Sequence, residues 1–233
     1  FRNLAVSGAV TWRATPDLDL TVSHDFGFQE PQRYWGTPLV EGRILESLRF
    51  NNYNIRDAKI LWQDNWTQAR AEWRPSADIT IRNTAYRLQS RRHWRDVEQY
   101  AFNRATGLID RSDYIEIYHQ QEQVGNRFDA AFRGELFGFR NEFLAGFDVN
   151  AIRFRHTNNS PYGGESSVSP TGYDPGLFIN LAGTRPAYAT RTSQASVFAE
   201  NRLILSDRLS LLAGVRYDAP SLHREDLRRL GAS

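Results

Sequence analysis

Cysteine and methionine are both absent from the 233 residues, and lysine occurs once, at Lys59. Without cysteine there can be no disulfide and no thiolate metal site. No run of about eighteen apolar residues occurs, which excludes a transmembrane helix. The N-terminal stretch Phe1–Val10 has no basic region followed by an apolar core, so no signal peptide is visible there. These absences, with the missing initiator methionine, lead to the expectation of a piece cut from a longer chain. Positive charge is carried almost wholly by arginine, a side chain suited to bidentate binding of carboxylates. The formal net charge is only +2, close to balance, and no nucleic-acid partner is expected.

Chemistry is also sparse. The histidines at 24, 93, 119, 156 and 223 form no H-x-x-x-H or H-E-x-x-H pair, so metal spacing is missing. There is no G-x-S-x-G elbow and no glycine-rich phosphate loop. The expectation is a protein that is not an enzyme, with no catalytic residues, no cofactor and no metal site. Two matches to glycosylation sequons, at Asn65 and Asn158, are of a kind frequent by chance.

What the chain does contain is alternation. Leu4, Val6, Val10 and Trp12 share one phase, with Ser7, Thr11 and Arg13 in the other. Residues 15–18 make a tight turn, and Leu20, Val22, Phe26 and Phe28 continue the pattern. A third run covers about 58–74, the turn at Pro75–Asp78 follows, and a fourth begins at Ile79 and reaches about Gln99. Its phase slips between Ile81 and Tyr86, which predicts a bulge near Asn83. A medium loop is expected over 103–113. In the fifth run Val124, Phe128, Phe132 and Leu136 oppose Arg127, Asp129, Arg133 and Glu135. The sixth, about 142–156, sets Phe143, Phe147 and Val149 against Asp148 and Asn150. A long connection covers about 157–190. The last two runs form the hairpin Ser196–Asp218, with Glu200, Arg202 and Arg216 on its polar phase.

Connections therefore alternate: short, long, short, medium, short, long, short. Outer-membrane barrels keep this order, with tight turns on one side and extended loops on the other. Several runs also exceed the roughly five or six residues usual for globular strands. Trp12, Trp73 and Tyr217 fall near the tight turns, where an interfacial aromatic girdle belongs. The fold class expected is all-β, an antiparallel up-and-down transmembrane barrel segment of about eight strands.

The hairpin SVFAENRLILSDRLSLLAGVRYD, with its FAE strand, SDRL turn and GxRYD strand, resembles the hairpins of TonB-dependent siderophore receptors. The stretch WRATPDLDLTVSHDFGFQEP resembles a barrel strand, periplasmic turn and returning strand of that family, and HTNNSPYGGESSVSPTGYDPGLF resembles one of its extracellular loops. The resemblance implies a barrel of twenty-two strands around a plug, placed in the bacterial outer membrane and importing ferric siderophores with energy from TonB. Residues 1–233 would be a middle portion of such a barrel, without the plug, the TonB box or the closing strands. The implied partners are a ferric siderophore, TonB through the plug, and the lipid bilayer.

Within that reading the apolar phase faces lipid. Val6, Val10, Leu20, Val22, Phe128, Phe132, Phe143, Phe147, Leu209, Leu211 and Val215 are expected on the convex side, and Arg127, Asp129, Arg133, Asp148 and Arg216 on the concave one. Candidate ligand contacts are Arg33, Tyr34, Trp35, Arg91, Arg92 and Trp94, where cationic forks and aromatic faces would suit an anionic, flat chelate. Two alternatives remain open: a complete small eight-stranded outer-membrane protein of structural or adhesive role, and a soluble all-β binding module.

Overall fold

The computed structural model describes residues 2–34 and 36–228. A single antiparallel sheet holds β1 (Arg2–Thr15), β2 (Leu18–Glu30), β3 (Lys59–Ser76), β4 (Ile79–Asn103), β5 (Leu108–Leu136), β6 (Phe139–Asn158), β7 (Ser166–Val168), β8 (Arg185–Ser206) and β9 (Leu209–Asp226). The order is β1-β2-β3-β4-β5-β6-β8-β9, each long strand beside its neighbour in sequence, with the short β7 added to β5. The up-and-down order expected from the sequence is therefore found, and β7 is an addition to it. A single 3-10 turn at Glu46–Leu48 is the only helical element among the described residues.

Four two-residue turns close the same rim, at Pro16–Asp17, Ala77–Asp78, Phe137–Gly138 and Asp207–Arg208. Three of them use one device. The hydroxyl of Thr15, Ser76 or Ser206 accepts the backbone N–H two residues on, each at 3.3 Å, and the register shifts beside it. The fourth differs: Phe137 and Gly138 both take positive φ, 55° and 80°, and the register runs straight through. Positive φ at both central residues suits the right-handed twist of a hairpin.

Two expectations are corrected. There is no bulge at Asn83; the registers Ala71↔Asn83 and Asn83↔Phe128 pass through it unbroken. Asn83 simply occupies an apolar-phase position, and its amide exchanges hydrogen bonds of 2.8 and 3.0 Å with that of Asn126. A satisfied polar pair had imitated a slip of phase. The medium loop is also shorter than expected. β4 and β5 run on to Asn103 and Leu108, leaving only residues 104–107 as the turn. The Asn103 Oδ1 accepts the N–H groups of Ala105 and Thr106, and Gly107 takes φ +71°, so polar residues there extend a hairpin.

Faces follow from register. Val10↔Val22↔Ala69↔Ala85↔Asn126↔Val149↔Ala195↔Ala219 is one continuous row on the apolar face. All eleven residues expected toward lipid lie on this face, and all five expected charged residues lie on the other. Along β6 and β8 the apolar positions are mostly the exposed ones and the polar positions the shielded ones. Val10 and Trp12 are 74% and 64% exposed. A sheet in water would show the reverse.

The opposite face carries charge at the same height. One row reads Arg13↔Asp19↔Glu72↔Arg82↔Asp129↔Gly146↔Phe198↔Arg216. Arg74 bridges Asp19 (2.9 Å) and Glu72, and Arg82 bridges Glu72 (3.4 Å) and Asp129 (3.5 Å). Phe198 receives the Arg127 guanidinium at 5.5 Å and the Arg216 guanidinium at 6.0 Å. Phe198 also lies over Gly146, where a Cβ would overlap both its ring and the Phe128 carbonyl.

β5 has 29 residues, about 95 Å of strand, against a hydrocarbon layer about 30 Å thick. The excess lies at the long-loop rim, and nearly all the buried apolar core of the described residues is there. Ile55, Ala58, Val97 and Tyr114 pack with Phe178 and Ile179; Tyr53, Ile109 and Val168 pack with Tyr173. The loops 31–58 and 159–184 thus meet on the β4–β5 hairpin. β7 covers part of the β5 edge that β6 does not reach, and an uncovered edge invites foreign strands.

Candidate functional site

Above the charged row, the polar face changes character. Gln29↔Trp62↔Arg92↔His119↔His156↔Tyr188↔Asp226 is one register row across seven strands, just below the packed loops. Arg92 stands over the Trp62 ring at 5.9 Å and pairs with Asp64 at 3.0 Å. Trp94 meets His119 edge-on at 5.3 Å, Phe154 lies 5.1 Å from the same ring, and His156 lies 4.9 Å from both His119 and Tyr188. Arg224 caps Tyr188 at 4.3 Å.

The imidazoles are directional. Asn158 donates its amide N–H to His156 Nε2 at 2.9 Å. A neutral His156 then carries its proton on Nδ1 and donates it to His119 Nε2 at 2.8 Å. His119 is left with its Nδ1–H as the outward donor. Burial lowers both pKa values; Arg92 adds to this at His119, and His119 itself adds to it at His156. Both rings therefore stay neutral at pH 7 and serve as hydrogen-bond groups, while Arg92 and Arg224 supply the charge.

On the opposite, outer face, Glu116 ties β4 and β5 to the loop 159–184. It is buried, and its carboxylate accepts from Arg95 (2.6 and 2.8 Å), His93 (3.1 Å), Tyr118 (3.1 Å) and Thr184 (2.5 Å). Burial alone would raise its pKa, but the hydrogen bonds from Thr184, Arg95 and His93 outweigh this and lower it. Asp96, one residue above Arg95, is buried with no partner for either carboxylate oxygen among the described residues. Burial, with Glu98 nearby, pushes its pKa up to about 7.

The six candidate residues from the sequence are dispersed. Arg92 and Trp94 sit together in the aromatic row. Arg91 lies on the opposite, outer face. Arg33 donates to the Ala58 carbonyl at 2.5 Å, and its own carbonyl accepts from Asn52, so it orders loop 31–58. Tyr34 is bound to Thr37 and to the Arg49 carbonyl. Trp35 lies outside the described residues. Sequence reading missed Trp62, His119, Phe154, His156 and Tyr188. A usable signal existed for the histidines, which lie equally far on either side of the Phe137–Gly138 turn and must therefore pair. Among the described residues no group of three His, Asp or Glu could hold a metal ion.

The sheet as a whole has known counterparts. The ferric preacinetobactin receptor BauA of Acinetobacter baumannii superposes with a TM-score of 0.79 at 8% identity, over 95% of this chain and 34% of that one. The ferripyoverdine receptor of Pseudomonas aeruginosa, bound to ferripyoverdine, gives 0.74 at 15%, over 96% and 31%. The ferric-catecholate import receptor Fiu of E. coli K12 gives 0.71 at 14%, over 96% and 35%. The chain thus spans about a third of the length of these structures, and at such identities the likeness is one of fold. No curated protein matches it. Residues 3–231 match the TonB dependent receptor-like, beta-barrel family, and with the match covering nearly the whole chain, the protein belongs to that family.

Proposed function

We propose that the chain forms part of the wall and the external loops of an outer-membrane receptor for ferric siderophores, as a middle portion of a larger barrel that holds a plug and takes energy through TonB. The observation that carries this reading is the row Trp62–Arg92–His119–His156–Tyr188, which lies on the charged face directly below the packed loops. Charges at membrane depth cannot face lipid without large cost, so this face is the lumen, and the row lies where a ligand would enter from outside. Cationic forks beside aromatic faces suit an anionic chelate with flat ligating groups. A hydrogen bond to a charged group contributes about 1.5–3 kcal/mol and a stacked cation about 0.5–2 kcal/mol. A few such contacts approach the roughly 8 kcal/mol of micromolar affinity.

Arg92→Ala, Trp94→Ala and His119→Ala, each in the protein expressed from its complete coding sequence, test this. Whole-cell binding is measured with ferric catecholate, hydroxamate and carboxylate chelates. At least one chelate should bind the parent, and Arg92→Ala should weaken it about tenfold or more. Unchanged affinity in all three variants at normal surface display would move the ligand site elsewhere.

A further inference from the structure

Directly above the apolar band, on the same outer face, lies a concentration of unpaired cations. Arg153 and Arg191 are direct register partners on β6 and β8, and Arg155 and Arg91 lie in the next row. Like charges directly opposite each other destabilise a sheet. None of these four guanidinium groups has an ion pair or hydrogen bond within the described residues, although on the lumen face Arg13, Arg70, Arg74, Arg82 and Arg216 are each paired. Nearby carboxylates offset them only in part: Glu122 is taken by Arg87 at 2.5 Å, leaving Glu225 alone against four guanidinium groups. The four line one depression of about 390 Å³. Immediately below it on the same face is a second, shallow depression of about 590 Å³, floored by small and apolar residues including Val124, Val149, Ala151 and Ala195.

We propose that the two depressions form a site for a phosphorylated lipid of the outer leaflet. Its phosphate sits among Arg153, Arg155 and Arg191, and one acyl chain lies along the trough below. Arginine forks match phosphate oxygens in pairs, and Val149 to Arg153 spans about 13 Å along the strand, from chain level to headgroup level. The site faces away from the Arg92 row and is distinct from the siderophore contacts proposed above. It rests on the reading that the apolar face is embedded in the outer membrane.

The test uses the protein from its complete coding sequence, reconstituted in phosphatidylcholine nanodiscs. Binding of lipid A, of enzymatically dephosphorylated lipid A and of inorganic phosphate is compared for the parent, Arg153→Gln/Arg155→Gln/Arg191→Gln, and the matching triple lysine variant. The glutamine triple should lose at least about tenfold in lipid A affinity, with the lysine triple much closer to the parent. Dephosphorylated lipid A should bind the parent weakly, and inorganic phosphate should not displace lipid A. Equal lipid A binding by parent and glutamine triple overturns the site. Displacement by inorganic phosphate overturns the lipid assignment in favour of a free-anion site. Failure of the parent to insert into nanodiscs would count against the membrane reading itself and would remove the basis of this site with it.

Discussion

Asn83 on β4 and Asn126 on β5 return each other's amide hydrogen bonds on the apolar face, with Ala71, Ala85, Phe128 and Val149 as their register neighbours. Each satisfies the other where lipid offers no partner. Asn83→Val should therefore destabilise the protein by about 1–3 kcal/mol, because it strands the Asn126 amide, whereas Asn83→Val with Asn126→Val should be near neutral. Urea unfolding in detergent micelles measures both. A double variant as unstable as the single would show that the pair does not act as a unit.

Gly146 leaves room for the Phe198 ring, which is itself flanked by Arg127 and Arg216. Gly146→Ala should cost about 1–3 kcal/mol through overpacking. Adding Phe198→Ala should restore only part of this, because the Phe128 carbonyl still obstructs the new methyl group. The heat needed to abolish the compact electrophoretic mobility of the folded barrel reports the order. Full tolerance of Gly146→Ala would refute the close approach.

Asp96 sets an unusual pH dependence for the loop assembly. Its folded-state pKa of about 7 lies above that of an unfolded aspartate, so its contribution is fully favourable below about 4 and is lost as pH rises through 7. The loss is at most about 4 kcal/mol. Amide protection over residues 93–117, with the intrinsic rise of exchange with pH divided out, should fall between pH 5 and pH 8 in the parent but not in Asp96→Asn. Parallel pH profiles in the two proteins would exclude Asp96 as the cause.

Glu116 acts in the opposite sense. Its pKa is lowered, so its contribution is present above the ordinary glutamate range and disappears as pH falls through the folded-state value. Glu116→Ala leaves Arg95 with Asp57 alone and removes the acceptor of His93, and should cost about 1–3 kcal/mol at pH 7. The damage should be local: protease sensitivity should rise in 159–184, anchored through Thr184, while the apolar band stays intact. Cleavage patterns identical to the parent would remove Glu116 from its joining role.

Strand order, turn rim and facing were all legible in the sequence, because a period of two survives wherever one face meets a single solvent. The four turns announced themselves through Pro16, Pro75, Gly138 and Asp207. Asn83 misled because periodicity records polarity and not pairing. The upper hairpin was shortened to a loop because residues 99–113, packed between other segments, no longer alternate. The aromatic row was hidden for a different reason: it is assembled across seven strands, and no local window contains more than two of its members. Arg91 and Arg92 look equivalent as neighbours in sequence, yet consecutive positions on a strand must face opposite ways.

The placement of the buried core has a thermal consequence. Heat capacity rises on unfolding chiefly because apolar surface becomes exposed to water. In this molecule such surface is enclosed mainly around Tyr53, Val97, Ile109 and Tyr114, whereas the wall keeps its apolar side chains against hydrocarbon. Two melting events of different character should follow in a calorimeter: an earlier one, with a marked heat-capacity step, for the loop assembly, and a later one with little step for the wall. The outer part of the molecule would then melt like a small water-soluble protein, and the remainder like a membrane.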